Sequence, residues 1–186
     1  MKRRSKAVVA TFSLVLLATS LSSCSSNKPP AEPTVGKVVN CDSIGRSSAV
    51  TGIILPCLDN NSQIYLPSLR GPLIINVWGS WCGPCKQEIP FFRDFYVYAQ
   101  KQLDLLGVDV EEAKPQDGVD FIKNEGMTWP NLFDPDGRTR GYFGLGVPVT
   151  WFIDSNGKVV YKKIGVLESL KELKDLSRKY LHITVN

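Results

Sequence analysis

A chain of 186 residues with 43% hydrophobic and 22% charged side chains allows one ordinary domain plus appendages, and two domains would be cramped. Its formal net charge of +4 comes from 22 basic and 18 acidic residues, but Lys2, Arg3, Arg4 and Lys6 crowd the first six positions, and the other 18 basic residues balance the acids. With no basic patch beyond that leader, nothing in the composition points to a nucleic-acid partner.

The four leading cations precede an apolar run from Ala7 to Ala18 and a small-residue stretch ending at Cys24. This pattern reads as a secretory signal peptide over 1–23, and export follows. Leu21-Ser22-Ser23-Cys24 resembles the bacterial lipobox, which implies lipidation of Cys24, a mature chain beginning there, and anchoring to the outer face of the cell membrane. An ordinary cleaved signal and an uncleaved anchor are the competing readings, although the apolar run is short for a membrane-spanning helix. Residues 24–35 are rich in Ser, Asn and Pro and read as a flexible tether. One folded domain with an N-terminal extension is expected over 36–186.

Cysteine usage adds a constraint. Setting Cys24 aside, four of the five cysteines remain, and Cys41 and Cys57 stand apart from a closely spaced pair further on. In an oxidising compartment they are expected to form a structural disulfide. A second redox centre passing electrons onward is the alternative.

A short strand is expected near Val50 to Ile54 and another at Gln63 to Leu66. Leu73 to Trp78, reading LIINVW, has the β-branched and aromatic content of a buried strand. A helix then starts near Cys82 and runs to about Gln100, with Ile89, Phe92, Phe95, Tyr96 and Ala99 on its buried face and Pro90 kinking it. Leu103 to Val110 is the next strand, with Asp109 between apolar neighbours. A helix over Asp117 to Asn124, capped by Asp117, stops at Gly126. Turns surround Asn131 to Phe133, and Arg138 to Phe143 reads as a short helix. Val149 to Ile153 and Val159 to Ile164 flank Asp154-Ser155-Asn156-Gly157, a hairpin signal. Glu168 to Tyr180 closes the chain as an amphipathic helix. The order of elements is that of an α/β fold.

Trp81-Cys82-Gly83-Pro84-Cys85 sits where strand becomes helix. The free N–H groups and dipole at the helix start favour thiolate over thiol at Cys82, and thiols so placed drop from about 8.5 to between roughly 3.5 and 7.5 in pKa. Cys82 is therefore the candidate nucleophile, and Cys85, one turn on, the resolving thiol. Half of a structural zinc site is the bland alternative. It lacks support, because there is no second CxxC and the one histidine is His182.

With Pro90 five residues past the second cysteine and Val147-Pro148-Val149-Thr150 downstream, WCGPC resembles the thioredoxin superfamily, and the layout is similar to its extracytoplasmic TlpA/ResA/CcmG (DsbE) branch. The resemblance spans roughly Gln63 to Tyr180. It implies a thioredoxin-like fold, a central mixed sheet flanked by helices, with an extra αβ unit held within Glu111 to Asp136. It also implies a cis Val147-Pro148 peptide facing the cysteines, so that Trp81, Val147 and Pro148 would contact a substrate polypeptide. Trp78 would join Trp81 in an apolar collar around the thiols. Thioredoxins bury an aspartate six residues before the nucleophile, whereas this chain has Asn76. Glu88 occupies a position where ResA-like proteins carry glutamate, which makes it the candidate general acid/base. A solvated glutamate favoured by the helix dipole is the alternative for Glu88.

The resemblance further implies a thiol–disulfide oxidoreductase that needs no cofactor and no metal. Its partners would be protein thiols and disulfides, apocytochrome c among them, with electrons from a CcdA/DsbD-type membrane protein, and a monomer is expected. The Gly83-Pro84 dipeptide is that of reducing thioredoxins, yet it does not set the potential alone. Oxidation of secreted-protein thiols, as in some DsbE-like relatives, is the runner-up. A copper-binding chaperone is a third reading, weakened by the absence of a histidine or methionine cluster near Cys82.

Overall fold

The computed structural model describes residues 35–185. The expected signal peptide and most of the tether, with Cys24, lie outside the described residues. Strands β1 (Ile54–Pro56) and β2 (Gln63–Tyr65) form a small antiparallel ribbon. The main elements are β3 (Leu73–Trp78), α1 (Gly83–Ala99), β4 (Asp104–Val110), α2 (Pro115–Glu125), β5 (Asn131–Asp134), β6 (Val149–Ile153), β7 (Val159–Ile164) and α3 (Leu170–Leu181). They build a five-stranded mixed sheet in the order β5-β4-β3-β6-β7, a thioredoxin-like arrangement. β3 pairs parallel with β4 and antiparallel with β6.

All six residues of β3 are buried, as its unbroken apolar run demands of a strand covered on both faces. Even-numbered residues of β3 point to one face and odd-numbered ones to the other. The first face packs Ile74 and Trp78 against Ile89, Phe92 and Phe95 of α1, Phe121 and Ile122 of α2, and Leu173 of α3. The second packs Leu73, Ile75 and Val77 against the N-terminal extension, including Cys41, Ile44, Leu55 and Cys57. Full burial of each large α1 side chain is worth about 1.5–3 kcal/mol, which keeps α1 continuous through Pro90. The extra αβ unit is α2 with β5, which adds an edge strand parallel to β4.

Three local expectations are corrected. β1 lies at Ile54–Pro56 rather than Val50–Ile54, because pairing of Ile54 with Tyr65 and Pro56 with Gln63 sets the register; Val50 is 69% exposed. α2 begins at Pro115, with Lys114 and not Asp117 at its N-cap. Proline's missing N–H and set φ suit the first helical position, which leaves Asp117 in the first turn near the positive end of the dipole. Arg138 to Phe143 is a run of turns. Buried Asp134 accepts hydrogen bonds from Arg138 N, Thr139 N and Thr139 Oγ1, and Gly141 and Gly144 adopt positive φ, so a helix is not continued.

Candidate active site

The CxxC segment joins the end of β3 to α1. Cys82 is the N-cap of α1, in extended backbone conformation, and its Sγ accepts a hydrogen bond of 3.1 Å from Cys85 N. Cys82 is 4% exposed and Cys85 fully buried, and the two are joined as a disulfide. The helix-start N–H groups thus face the outer sulfur, where a thiolate would gain most from them.

Trp81 is 56% exposed, and its indole N–H donates to Val110 O at 3.2 Å. Facing it, Val147 precedes buried Pro148 across a cis peptide bond. Between them lies a groove of about 210 Å³, bounded also by Val110, Phe143, Leu145 and Arg140. Trp81, the residue before Cys82, and Val147 therefore share one surface depression. Trp78 is not part of that rim. It is fully buried, stacked on Phe121 at 4.8 Å, with its N–H on Asn131 Oδ1.

Beneath the cysteines, Glu88 is fully buried, so it is not a solvated first-turn glutamate. Its Oε1 accepts from Asn76 Nδ2 at 2.7 Å and its Oε2 from Leu167 N at 2.8 Å. Burial raises its pKa from 4.5 to about 7, against the lowering effect of those two donors. A carboxyl poised there exchanges protons readily near neutral pH. Lys86, on the outer side of α1, is exposed and pairs with the largely covered carboxylate of Glu125 at 3.2 Å.

Cys41 and Cys57 are joined by a disulfide and fully buried, on the sheet face opposite α1. Among the described residues no cluster of His, Cys, Asp or Glu could hold a metal ion.

Two acids near the site escaped sequence reasoning as functional candidates. Glu112 accepts from both the backbone N–H and the hydroxyl of Ser80, and Asp109 is fully buried at the end of β4. The available signal was an acid inside the otherwise apolar run Leu105 to Val110, a strand covered on both faces.

A family model described as the AhpC/TSA family matches residues 49–162. The thiol-disulfide oxidoreductase ResA of Bacillus thuringiensis strain Al Hakam is 33% identical over 113 residues, covering 59% of this chain and 64% of its own length. Sporulation thiol-disulfide oxidoreductase A of Bacillus subtilis strain 168 is 29% identical over 133 residues, covering 68% of this chain and 81% of its own. The crystal structure of StoA from Bacillus subtilis is similar with a TM-score of 0.56 and 27% identity, covering 67% of this chain and 95% of that one.

Proposed function

The chain belongs to the AhpC/TSA family, and from that footing we propose that it is an extracytoplasmic thiol–disulfide oxidoreductase working through Cys82 and Cys85. The observation that carries this reading is the position of Cys82 as N-cap of α1, with Cys85 N–H on its sulfur and the preceding Trp81 lining a groove with Val147. Oxidoreductases of ResA and sporulation type among its relatives support it.

In the reducing direction, the Cys82 thiolate attacks one sulfur of a substrate disulfide, forming a mixed disulfide and releasing the other substrate sulfur as a thiolate. Cys85 then loses its proton, attacks Cys82 Sγ, and frees the second substrate thiolate, so the substrate gains two electrons and the protein ends as the Cys82–Cys85 disulfide. Glu88 is the base proposed to take the Cys85 proton, since its raised pKa lets it accept and return a proton near pH 7. Trp81, Val147 and Pro148 are proposed to hold the substrate as an extended segment along the groove. Cys41–Cys57 is assigned a structural role, since both cysteines are fully buried on the sheet face opposite α1.

The substrate class proposed is apocytochrome c cysteines before haem attachment, with a membrane dithiol donor of CcdA/DsbD type restoring the reduced protein. A leader over 1–23 and lipidation at Cys24 are proposed to hold the folded domain, 36–186, on the outer face of the membrane. No described helix is long and apolar enough to cross a membrane.

The deciding experiment is the reduction potential of the Cys82/Cys85 couple in dithiothreitol and glutathione buffers, combined with turnover of a disulfide peptide. A value near or below about −270 mV supports the reductant, and one near about −120 mV makes it an oxidant of secreted thiols. Tight stoichiometric Cu(I) binding without exchange activity would overturn the redox assignment.

A further inference from the structure

The exchange chemistry uses Glu88 and leaves a second buried carboxyl, Asp109, without a role. Asp109 lies level with Trp78 of β3 and Phe133 of β5. From α2 the backbone of Gly118 comes so close that a Cβ there would stand 1.9 Å from Asp109 Oδ2. Among the described residues, neither carboxyl oxygen receives an N–H or O–H. The charged groups acting on it are Glu112, from the segment after β4, and Asp117, from the first turn of α2, and both are acids. Trp78 and Phe133 are neutral.

An ionised Asp109 would thus be a buried charge with no donor and two like charges around it, an arrangement strongly disfavoured in a dry interior. Burial, reinforced by Glu112, pushes its pKa up to about 10. A protonated Asp109 resolves the conflict by becoming a donor toward Glu112. Glu112 in turn holds the N–H and hydroxyl of Ser80, the latter at 2.7 Å, two residues before Cys82.

We propose that Asp109 is a positioning residue for the exchange reaction: it keeps its proton, donates it to Glu112, and through Glu112 and Ser80 holds the Cys82 sulfur at the start of α1. This inference rests on the reading of Cys82 as the nucleophile. Asp109 touches no reacting atom.

The test is the rate of Cys82 alkylation by iodoacetamide in the reduced full chain, followed from about pH 5 to about pH 10, for wild type, Asp109→Ala and Asp109→Asn. Asp109→Ala removes the donor and is expected to slow alkylation at neutral pH by about threefold or more, with the profile displaced to higher pH. Asp109→Asn restores an N–H donor toward Glu112 and is expected to recover most of the loss. An unchanged profile in Asp109→Ala, or an Asp109→Asn variant as impaired as alanine, overturns the proposal. Carboxyl ¹³C NMR of the wild type is independent of variant folding: an Asp109 signal already ionised at neutral pH overturns it too. Wild-type protein that alkylates normally at Cys82 yet reduces no disulfide substrate counts against the exchange reading alone.

Discussion

Asn76 Nδ2 donates to Glu88 Oε1 at 2.7 Å in the middle of the core. The central strand therefore offers a neutral amide where thioredoxins place an acid, and the acid is carried by the neighbouring helix. Burying one carboxyl with two donors is tolerable, whereas two unpaired carboxyls at that spacing are not.

As the proposed base for Cys85, Glu88 is expected to make the resolving step depend on pH. With its pKa at about 7, the fraction able to take a proton rises as pH passes through neutrality. Glu88→Gln is expected to slow mixed-disulfide resolution by about tenfold or more and to abolish the inflection near pH 7. Stopped-flow tryptophan fluorescence across pH would show it; an unchanged inflection would remove Glu88 from the mechanism.

The same group shapes stability. Its folded-state value lies above its ordinary 4.5, so the folded state holds the proton more tightly than the unfolded chain. That contribution is complete below about pH 4.5 and is lost as pH rises through about 7. Urea denaturation of the oxidised protein should show the decline, and Glu88→Gln should lack its share.

Asn76→Asp would put a second carboxyl against Glu88. Both ionised, the pair would cost about 3 kcal/mol or more, so the variant should be markedly less stable than wild type at pH above about 8 and much closer to it near pH 5, where one shared proton relieves the repulsion. Denaturation midpoints at the two pH values are the check.

Removing the Cys41–Cys57 clip with a double Cys→Ala change opens a loop whose ends are 16 residues apart. The loss should be about 3 kcal/mol in urea titrations. Exchange through Cys82 should persist at temperatures where the variant is folded, because the clip lies across the sheet from Cys82 and Cys85.

Gly107→Ala tests the packing beside the site. A Cβ there would stand 1.7 Å from Asn131 Oδ1 and 2.8 Å from Trp78 Nε1. The hydrogen bond between those two groups would have to break or shift, with an expected loss of about 1–3 kcal/mol, read as a lower melting temperature.

Much of the fold was legible in order. LIINVW announced a strand buried on both faces, and Ile89, Phe92, Phe95 and Ala99 announced the buried stripe of α1, because apolar periodicity reports which side of an element meets the core. The segment from Asp134 to Gly146 was less legible. Its conformation follows from backbone groups converging on the buried Asp134 carboxylate, a set of contacts that local helix propensity does not register.

From the amino-acid sequence alone came the two thiols at a strand-to-helix junction and the likeness to thioredoxins, because both depend on local spacing or on motif order, and that likeness in turn implied Trp81, Glu88, Val147 and Pro148 as candidates. Only the tertiary structure decided that Glu88 is buried rather than solvated, that Cys57 lies beside Cys41 across the sheet from α1, that Glu112 holds Ser80, and that Asp109 is buried against α2. These outcomes turn on which side chains are brought together from distant strands and helices, and on how much water is removed from each, quantities that exist once the sheet has closed and its two faces are covered.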